Sequence, residues 1–279
     1  MPPIIFKLGG YNGNNRVLIK MIEGIRDLVA GIRRRDIWLY FALSDTKARY
    51  ARSTLGPWWI TLGTALGVIG LGLVWSAVMN VDLSKMLPNL AVGLVLWFMI
   101  SGIISESSGC FSNQAPIIRN YPLPLSLHLL KLMSRHLINF AHNISIIIVV
   151  FVIYGFPSWQ NLLTALLGFL IVLVNLSWIS LLIATVGARF RDLGPSIDAL
   201  MPVLFFLTPI LYKKSDVVSA AAWFDYNPIA TLFSLVKNPL LSLPIAEFDY
   251  WSMLILAVVG WCVVLTVFGR YKTQIVFWI

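Results

Sequence analysis

Residues 162–188 read LLTALLGFLIVLVNLSWISLLIATVGA, with no charged side chain between Leu162 and Ala188. A run of this length at about 1.5 Å per residue exceeds the roughly 30 Å of a bilayer's hydrocarbon core. In that layer every backbone amide needs a partner inside its own helix, so the stretch reads as a membrane-spanning α-helix. The rest of the chain repeats the pattern. Of 279 residues, 58% are hydrophobic and 12% are charged, whereas an ordinary soluble domain carries about 25% charged residues. The expected fold is an all-α integral membrane protein.

Five segments are long enough to cross: 58–79, 87–111, 137–156, 162–188 and 251–269. A sixth, 197–212, is shorter and contains Pro202 and Pro209, each of which removes an amide donor and favours a kink. With six spans both termini share a side. Of the 21 Lys and Arg, all but Lys85, Lys213, Lys214 and Lys237 then fall on that side, which places it in the cytoplasm. The net charge of +9 is explained by this asymmetry, and no compact basic domain is left to bind nucleic acid. The first fifteen residues lack the basic start, apolar core and cleavage site of a secretory signal.

Two regions are neither plain loop nor plain span. In Arg16 to Arg35, the residues Leu18, Met21, Ile22, Ile25, Leu28, Val29 and Ile32 recur at helical spacing, with Arg16, Lys20, Glu23, Asp27 and Arg34 opposite. With the aromatic segment Ile37 to Leu43 that follows, this makes residues 1–57 a cytoplasmic segment of amphipathic helices in the headgroup plane, ahead of a transmembrane domain at 58–279. The second region, 213–250, holds the apolar pieces 217–224 and 228–236, each too short to cross. It reads as an external re-entrant helical hairpin between spans 5 and 6, tolerated at depth where protein or a water-filled cavity covers its backbone. The first and last three spans show no sequence repeat.

Catalytic patterns are absent: there is no GxxxxGK[S/T], HExxH, GxSxG or GxGxxG. Cys110 and Cys262 lie far apart in apolar runs and suggest packing. His128, His136 and His142 gather near the start of the third span and read as interfacial or helix-contact residues, with no metal site assigned. Glu106 falls near the cytoplasmic end of the second span and reads as a boundary carboxylate. Trp58, Trp59, Trp159 and Trp251 lie at span ends, where aromatic rings anchor a helix to the headgroups.

Several stretches together carry a likeness to a known family. They are Asp45-x-Lys47-x-Arg49-Tyr50-x-Arg52-Ser53-x-Leu55-Gly56-Pro57-Trp58, Asn120-Tyr121-Pro122-Leu123-Pro124, Arg189-Phe190-Arg191-Asp192, Thr208-Pro209-Ile210-Leu211-Tyr212 and Asn227-Pro228. Their order and placement resemble the permease subunits of type-2 ABC exporters, and within them the O-antigen and related polysaccharide permeases. The resemblance implies a homodimer of six-span subunits in the bacterial inner membrane, with two copies of a separate ABC ATPase beneath. ATP and Mg would be bound by that partner, with no cofactor in this chain and no enzymatic activity of its own. Lys237 departs from the pattern, which commonly has an arginine in this stretch; an ammonium does not reproduce a guanidinium's planar fork.

The implied substrate is a polyprenyl-diphosphate-linked polysaccharide, with membrane lipid as the surrounding partner. Guanidinium groups suit a diphosphate, because they hold phosphate oxygens in pairs. Arg49 and Arg52, three apart on one helical face beside the first span, are the first candidates and Arg189 and Arg191 the second. Aromatic faces can hold a sliding glycan weakly, and Trp97, Trp178, Phe205 and Phe206 are the candidate channel liners. Trp223, Phe224 and Tyr226 are the candidate external gate. Arg119, Asn120, Tyr121, Pro122 and Pro124 form the candidate loop for coupling to the ATPase. A permease for another substrate, such as teichoic acid, capsule, lipid or drug, would share this topology. An ion-coupled carrier would need carboxylates at mid-membrane. A membrane glycosyl- or phosphotransferase would need clustered acids, whereas the twelve Asp and Glu are scattered.

Overall fold

The computed structural model describes residues 13–211 and 227–279, with side chains from Val17 onward. The described residues form ten α-helices and no strand. In chain order they are α1 (Gly13–Arg33), α2 (Arg35–Arg49), α3 (Trp58–Met79), α4 (Leu83–Ser107), α5 (Ala115–Asn120), α6 (Ser126–Tyr154), α7 (Trp159–Arg189), α8 (Leu193–Leu207), α9 (Pro228–Leu240) and α10 (Glu247–Trp278). Five of them, α3, α4, α6, α7 and α10, are long and apolar enough to cross a membrane.

The centre of the bundle is α4. Asp82 caps it by accepting from the Ser84 amide at 3.1 Å, and nearly every residue from Met86 to Ile104 is buried. Helices α3, α6, α7, α8 and α9 all pack on it. By contrast α3 is covered on one side only, and Leu62, Leu66, Ile69, Leu73 and Val78 are exposed. An apolar helix that is bare on most of its surface is stable only where lipid or another protein surface covers it.

The sixth apolar segment differs from its expected form. It begins earlier, at Leu193, and ends at Leu207, because Thr208 precedes Pro209 and is pushed into an extended conformation (φ −102°, ψ 136°). At about 1.5 Å per residue α8 is about 22 Å long, short of the hydrocarbon thickness. The extended piece beyond it is fixed by polar contacts. Asn89 Nδ2 donates to the Ile210 carbonyl at 3.3 Å, and Lys237 Nζ, on α9, donates to the Pro209 and Ile210 carbonyls at 2.6 and 3.1 Å. Lys237 also lies over the Phe233 ring. Lys237 is thus a buried clip between α9 and the end of α8.

Of the expected hairpin, α9 is described. It starts as its sequence dictates, with Asn227 Oδ1 accepting from the Ile229 and Ala230 amides and Pro228 in the first turn, where its missing donor costs nothing. Gly168 lets α7 approach its backbone: a Cβ there would collide with the Leu235 carbonyl. A buried Asn175 then ties α7 to α10, donating to the Met253 carbonyl at 3.1 Å and accepting from Trp178 Nε1 at 3.0 Å.

The amphipathic helix α1 carries a third face that its hydrophobic periodicity does not reveal. Leu18, Ile22, Ile25, Val29 and Ile32 are exposed, while Gly24, Asp27 and Gly31, at spacings of three and four, are buried against α10 and α6. A Cβ at Gly24 would meet the Leu265 carbonyl, one at Gly269 the Lys20 carbonyl, and one at Gly31 the Ser126 hydroxyl. Asp27, expected among the solvated charges, is 9% exposed. Its carboxylate accepts from the Ser126 amide at 2.9 Å and the Leu125 amide at 3.4 Å, capping α6, and Lys272 of α10 sits 3.6 Å away. Replacing Asp27 with Ala removes this cap, worth about 1–2 kcal/mol, and should release α1; faster tryptic cleavage at Arg33–Arg35 in the detergent-purified chain would report it.

Candidate functional site

At the end of the bundle that carries α1 and α2, charged side chains from three helices meet. Lys131 and Arg135, one turn apart on α6, face Asp45 of α2 at 2.8 and 4.0 Å. Arg135 also pairs with Glu106 in the last turn of α4, and His136 Nε2 lies 3.4 Å from the same carboxylate. Lys131 further donates to Gln114 Oε1 at 3.3 Å and lies over the Phe41 ring. Glu106 is therefore more than the boundary carboxylate its position suggests. Together with Asp45 it neutralises two cations and fixes the directions of α2, α4 and α6 relative to one another.

Beside this network lies a cavity of about 270 Å³, lined by Arg49, Asn113, Gln114, His128 and the ion pairs. Arg49 is the last residue of α2 and is exposed. Arg52 does not share its helical face, contrary to the expectation of a continuous helix. The helix stops at Arg49, and Arg52 sits in the following turn with φ 69°. Gly56, also at positive φ, completes the passage into α3 by donating to Ser53 Oγ at 3.1 Å. Arg189 and Arg191 are held elsewhere, at the turn from α7 to α8, with the Arg189 guanidinium over the Trp278 ring near the end of α10. Both are exposed.

Between α4 and α6 the chain forms a single 3₁₀ turn, Ser112–Gln114, and then the short helix α5. Arg119, Asn120, Tyr121 and Pro122 at its end are exposed, and Pro124 is half-buried. Asn120 Nδ2 donates to the Pro116 carbonyl at 2.8 Å, which closes the helix. Immediately after this exposed stretch comes the amide pair that Asp27 caps, so the loop is stiffly seated at its far end. At its near end Cys110 is buried, and burial pushes its thiol up to about 12 against the opposing pull of the Lys131 charge.

The aromatic candidates divide. Trp97 of α4 is 6% exposed and meets Phe205 of α8 edge-on at 5.6 Å, and Phe205 in turn meets Phe206, which is 61% exposed. Trp178 stands apart from them, seated on Gly260 between α7 and α10 with its indole N–H spent on Asn175. Trp223, Phe224 and Tyr226 lie outside the described residues. From the sequence His128 was read only as an interfacial or helix-contact residue, and Asp45 and Lys131 were not named as site candidates. The signal for the α6 residues was the spacing of His128, Lys131 and Arg135, which puts all three on one face of that helix.

A bundle of long apolar helices with charge gathered at one end defines a multi-pass membrane protein. The sequence of residues 39–241 matches the family described as ABC-2 type transporter, and the chain belongs to that family. It is similar to the O-antigen export system permease protein RfbA of Klebsiella pneumoniae, 27% identical over 247 residues that cover 85% of this chain and 92% of the relative. It is also similar to the RfbA of Myxococcus xanthus, 25% identical over 221 residues, 77% of this chain and 82% of the relative. Membership of the family implies an ABC ATPase as partner.

Glu106→Gln should leave Arg135 with only its 4.0 Å contact to Asp45 and lower stability by about 1–2 kcal/mol, a figure held down by the partial exposure of Glu106. The neutral Cys110 thiol gives a native reporter. Maleimide at pH 7.5 should leave it unmodified in the wild-type chain and modify it in Glu106→Gln, read by mass spectrometry of the Cys110 peptide.

Proposed function

We propose that this chain is the transmembrane subunit of an exporter that carries polyprenyl-diphosphate-linked polysaccharide of the O-antigen type from the cytoplasmic face of the bacterial inner membrane. The observation that carries this reading is the likeness to two O-antigen export permeases over most of both chains. The working assembly is a homodimer with two ATPase subunits. Six crossings, with α8 and the extended piece beyond it as the fifth, put both termini in the cytoplasm, in agreement with the charge asymmetry of the loops. Residues 1–57 then form the cytoplasmic interface segment and 58–279 the transmembrane domain.

Within that frame Arg49 is the first residue to meet the diphosphate. It is exposed, it stands beside the passage into α3, and no ion pair occupies it among the described residues. Arg52 approaches from the adjoining turn, while Arg189 and Arg191 serve the same chemistry from the α7–α8 corner. Phe205 and Phe206 offer aromatic faces toward the glycan path, with Trp97 bracing them from behind. The exposed stretch Arg119–Pro122 docks into the ATPase. Its motion reaches the spans through Ser126, because Asp27 fixes the start of α6.

Coexpression with the ATPase encoded beside it, followed by purification and ATP hydrolysis measurements, tests this reading. A two-plus-two complex should form. Replacing Asn120–Pro124 with Gly and Ser should cut the hydrolysis stimulated by lipid-linked glycan about tenfold or more, the range of an ordinary coupling energy. A chain that purifies alone, or hydrolysis indifferent to the loop, would exclude it.

A further inference from the structure

The helices α1 and α2 follow one another in the chain, yet they are attached to the bundle in opposite ways. The seat of α1 is close-packed: neither Gly24 nor Gly31 leaves room for one further carbon, and Asp27 caps α6. Of the 15 residues of α2 only Ala42 and Thr46 are buried, and the Thr46 hydroxyl is spent on the Ala42 carbonyl of its own helix. The polar cavity of about 270 Å³ is lined jointly by α2, through Asp45 and Arg49, and by α4 and α6. A contact that encloses polar space admits water and separates at little cost, whereas a close-packed one forfeits dispersion along its whole length. The backbone is also broken on both sides of α2. Arg34 alone separates it from α1, with φ −90° and ψ 43°, and the passage into α3 contains Arg52 and Gly56 at φ 69° and 55°.

What ties α2 to α6 is the Asp45 carboxylate, helped by the Phe41 ring 5.5 Å from the Lys131 ammonium. Breaking the Asp45 tie strands none of its members. Lys131 keeps Gln114 Oε1 at 3.3 Å, Arg135 keeps Glu106, and the Asp45 side chain, 36% exposed, already reaches solvent. Arg49 lines the same cavity as Lys131 and Arg135, and repulsion between like charges favours the departure of α2. Withdrawing Asp27 from Ser126, by contrast, leaves the first amides of α6 uncapped.

We propose that α2 is a lid over this cavity, latched by Asp45 to Lys131 and released by the segment that faces the ATPase. Gln114 stands immediately before α5, so it and Asp45 hold the same ammonium from two different elements. The docked arrangement is the closed state. Displacement of α5 by the ATPase draws Lys131 from Asp45 to Gln114. The lid then swings on Arg34 and on the turn at 50–56, carries Arg49 away from Arg135 and opens the charged end of the bundle beside α3. The inference rests on the reading of Arg119–Pro122 as the ATPase contact.

Cys110 lines the cavity and is 5% exposed, so it reports the lid without an added probe, and the exposed Cys262 serves as internal reference. The test measures the rate of maleimide reaction at Cys110, relative to Cys262, in the purified complex with its ATPase, nucleotide-free and trapped with ATP and vanadate. Trapping should raise the rate at least about tenfold, within the range of an ordinary coupling energy. Asp45→Asn should be fast in both states, and Asp45→Glu should restore the slow nucleotide-free rate. Gln114→Ala, which removes the competing partner, should stay slow in both, an effect of opposite sign that misfolding does not produce. A wild-type rate indifferent to nucleotide, or Asp45→Asn as slow as wild type, would overturn the lid. Export of lipid-linked glycan is read in parallel. Export with a rate that never responds to nucleotide sinks the lid and leaves the export reading standing. A nucleotide-dependent rate in a complex that hydrolyses ATP without exporting glycan supports the lid and sinks the export reading.

Discussion

The carboxylate of Asp27 is the contact on which the organisation of one end of the bundle depends. An α-helix ends in amides with no partner within the helix, and a negative group placed there is favoured by both hydrogen bonding and the helix dipole. Asp27 supplies that group to α6 from a different helix, and the Ser126 hydroxyl returns a hydrogen bond to the Asp27 carbonyl at 2.7 Å. Lys272 approaches the same carboxylate from α10. One side chain thereby joins the amphipathic helix, a long span and the chain's last helix. The exposed loop that precedes Ser126 inherits its position from this junction.

The same logic recurs wherever the bundle buries a polar group. Asn175 is satisfied by the backbone of α10 and the indole of Trp178, and Lys237 by the carbonyls beyond α8, while the partly exposed Glu106 pairs with Arg135 at the charged end. In a medium that offers no water, a polar side chain is tolerated only when its partner is built in. Each such pair therefore specifies which helices are neighbours and at what depth. The apolar surfaces alone do not, because lipid covers a leucine as readily as another helix does. The glycines at 24, 168, 260 and 269 complement the polar pairs by letting backbones or a large ring approach closely.

The existence of the spans was legible because it rests on length and apolarity, and the start of α3 at Trp58 and its end at Met79 follow from flanking Pro57 and Asn80, the latter in the left-handed conformation. The end of α8 was misplaced, although Pro209 carried the signal: the residue before a proline leaves the helical region. The docking face of α1 was hidden for a different reason. Gly24, Asp27 and Gly31 have helical spacing, but a small-residue face with a single acid has no hydrophobic periodicity to detect. The charge cluster was half legible. Lys131 and Arg135 were counted as loop charges, because only the fold shows that Asp45 and Glu106, from separate segments, converge on them. Arg49 and Arg52 were correctly placed beside the first span, yet their common face was lost when the helix ended between them.

The crossing of α1 over α10 has a consequence for synthesis. The seat of the amphipathic helix includes Gly269, Leu265 and Lys272, all in the last helix of the chain. While the chain emerges from the ribosome, α1 is made first and its seat last, so most of the polypeptide must be inserted before the two can meet. During that interval its buried carboxylate and glycine face have nothing in this chain's C-terminal helix to rest on, and its exposed leucine and isoleucine stripe is left to the membrane surface. A nascent chain that stalls before α10 would hold its N-terminal helix by α6 alone, a mark by which quality-control proteases could tell an unfinished subunit from a finished one.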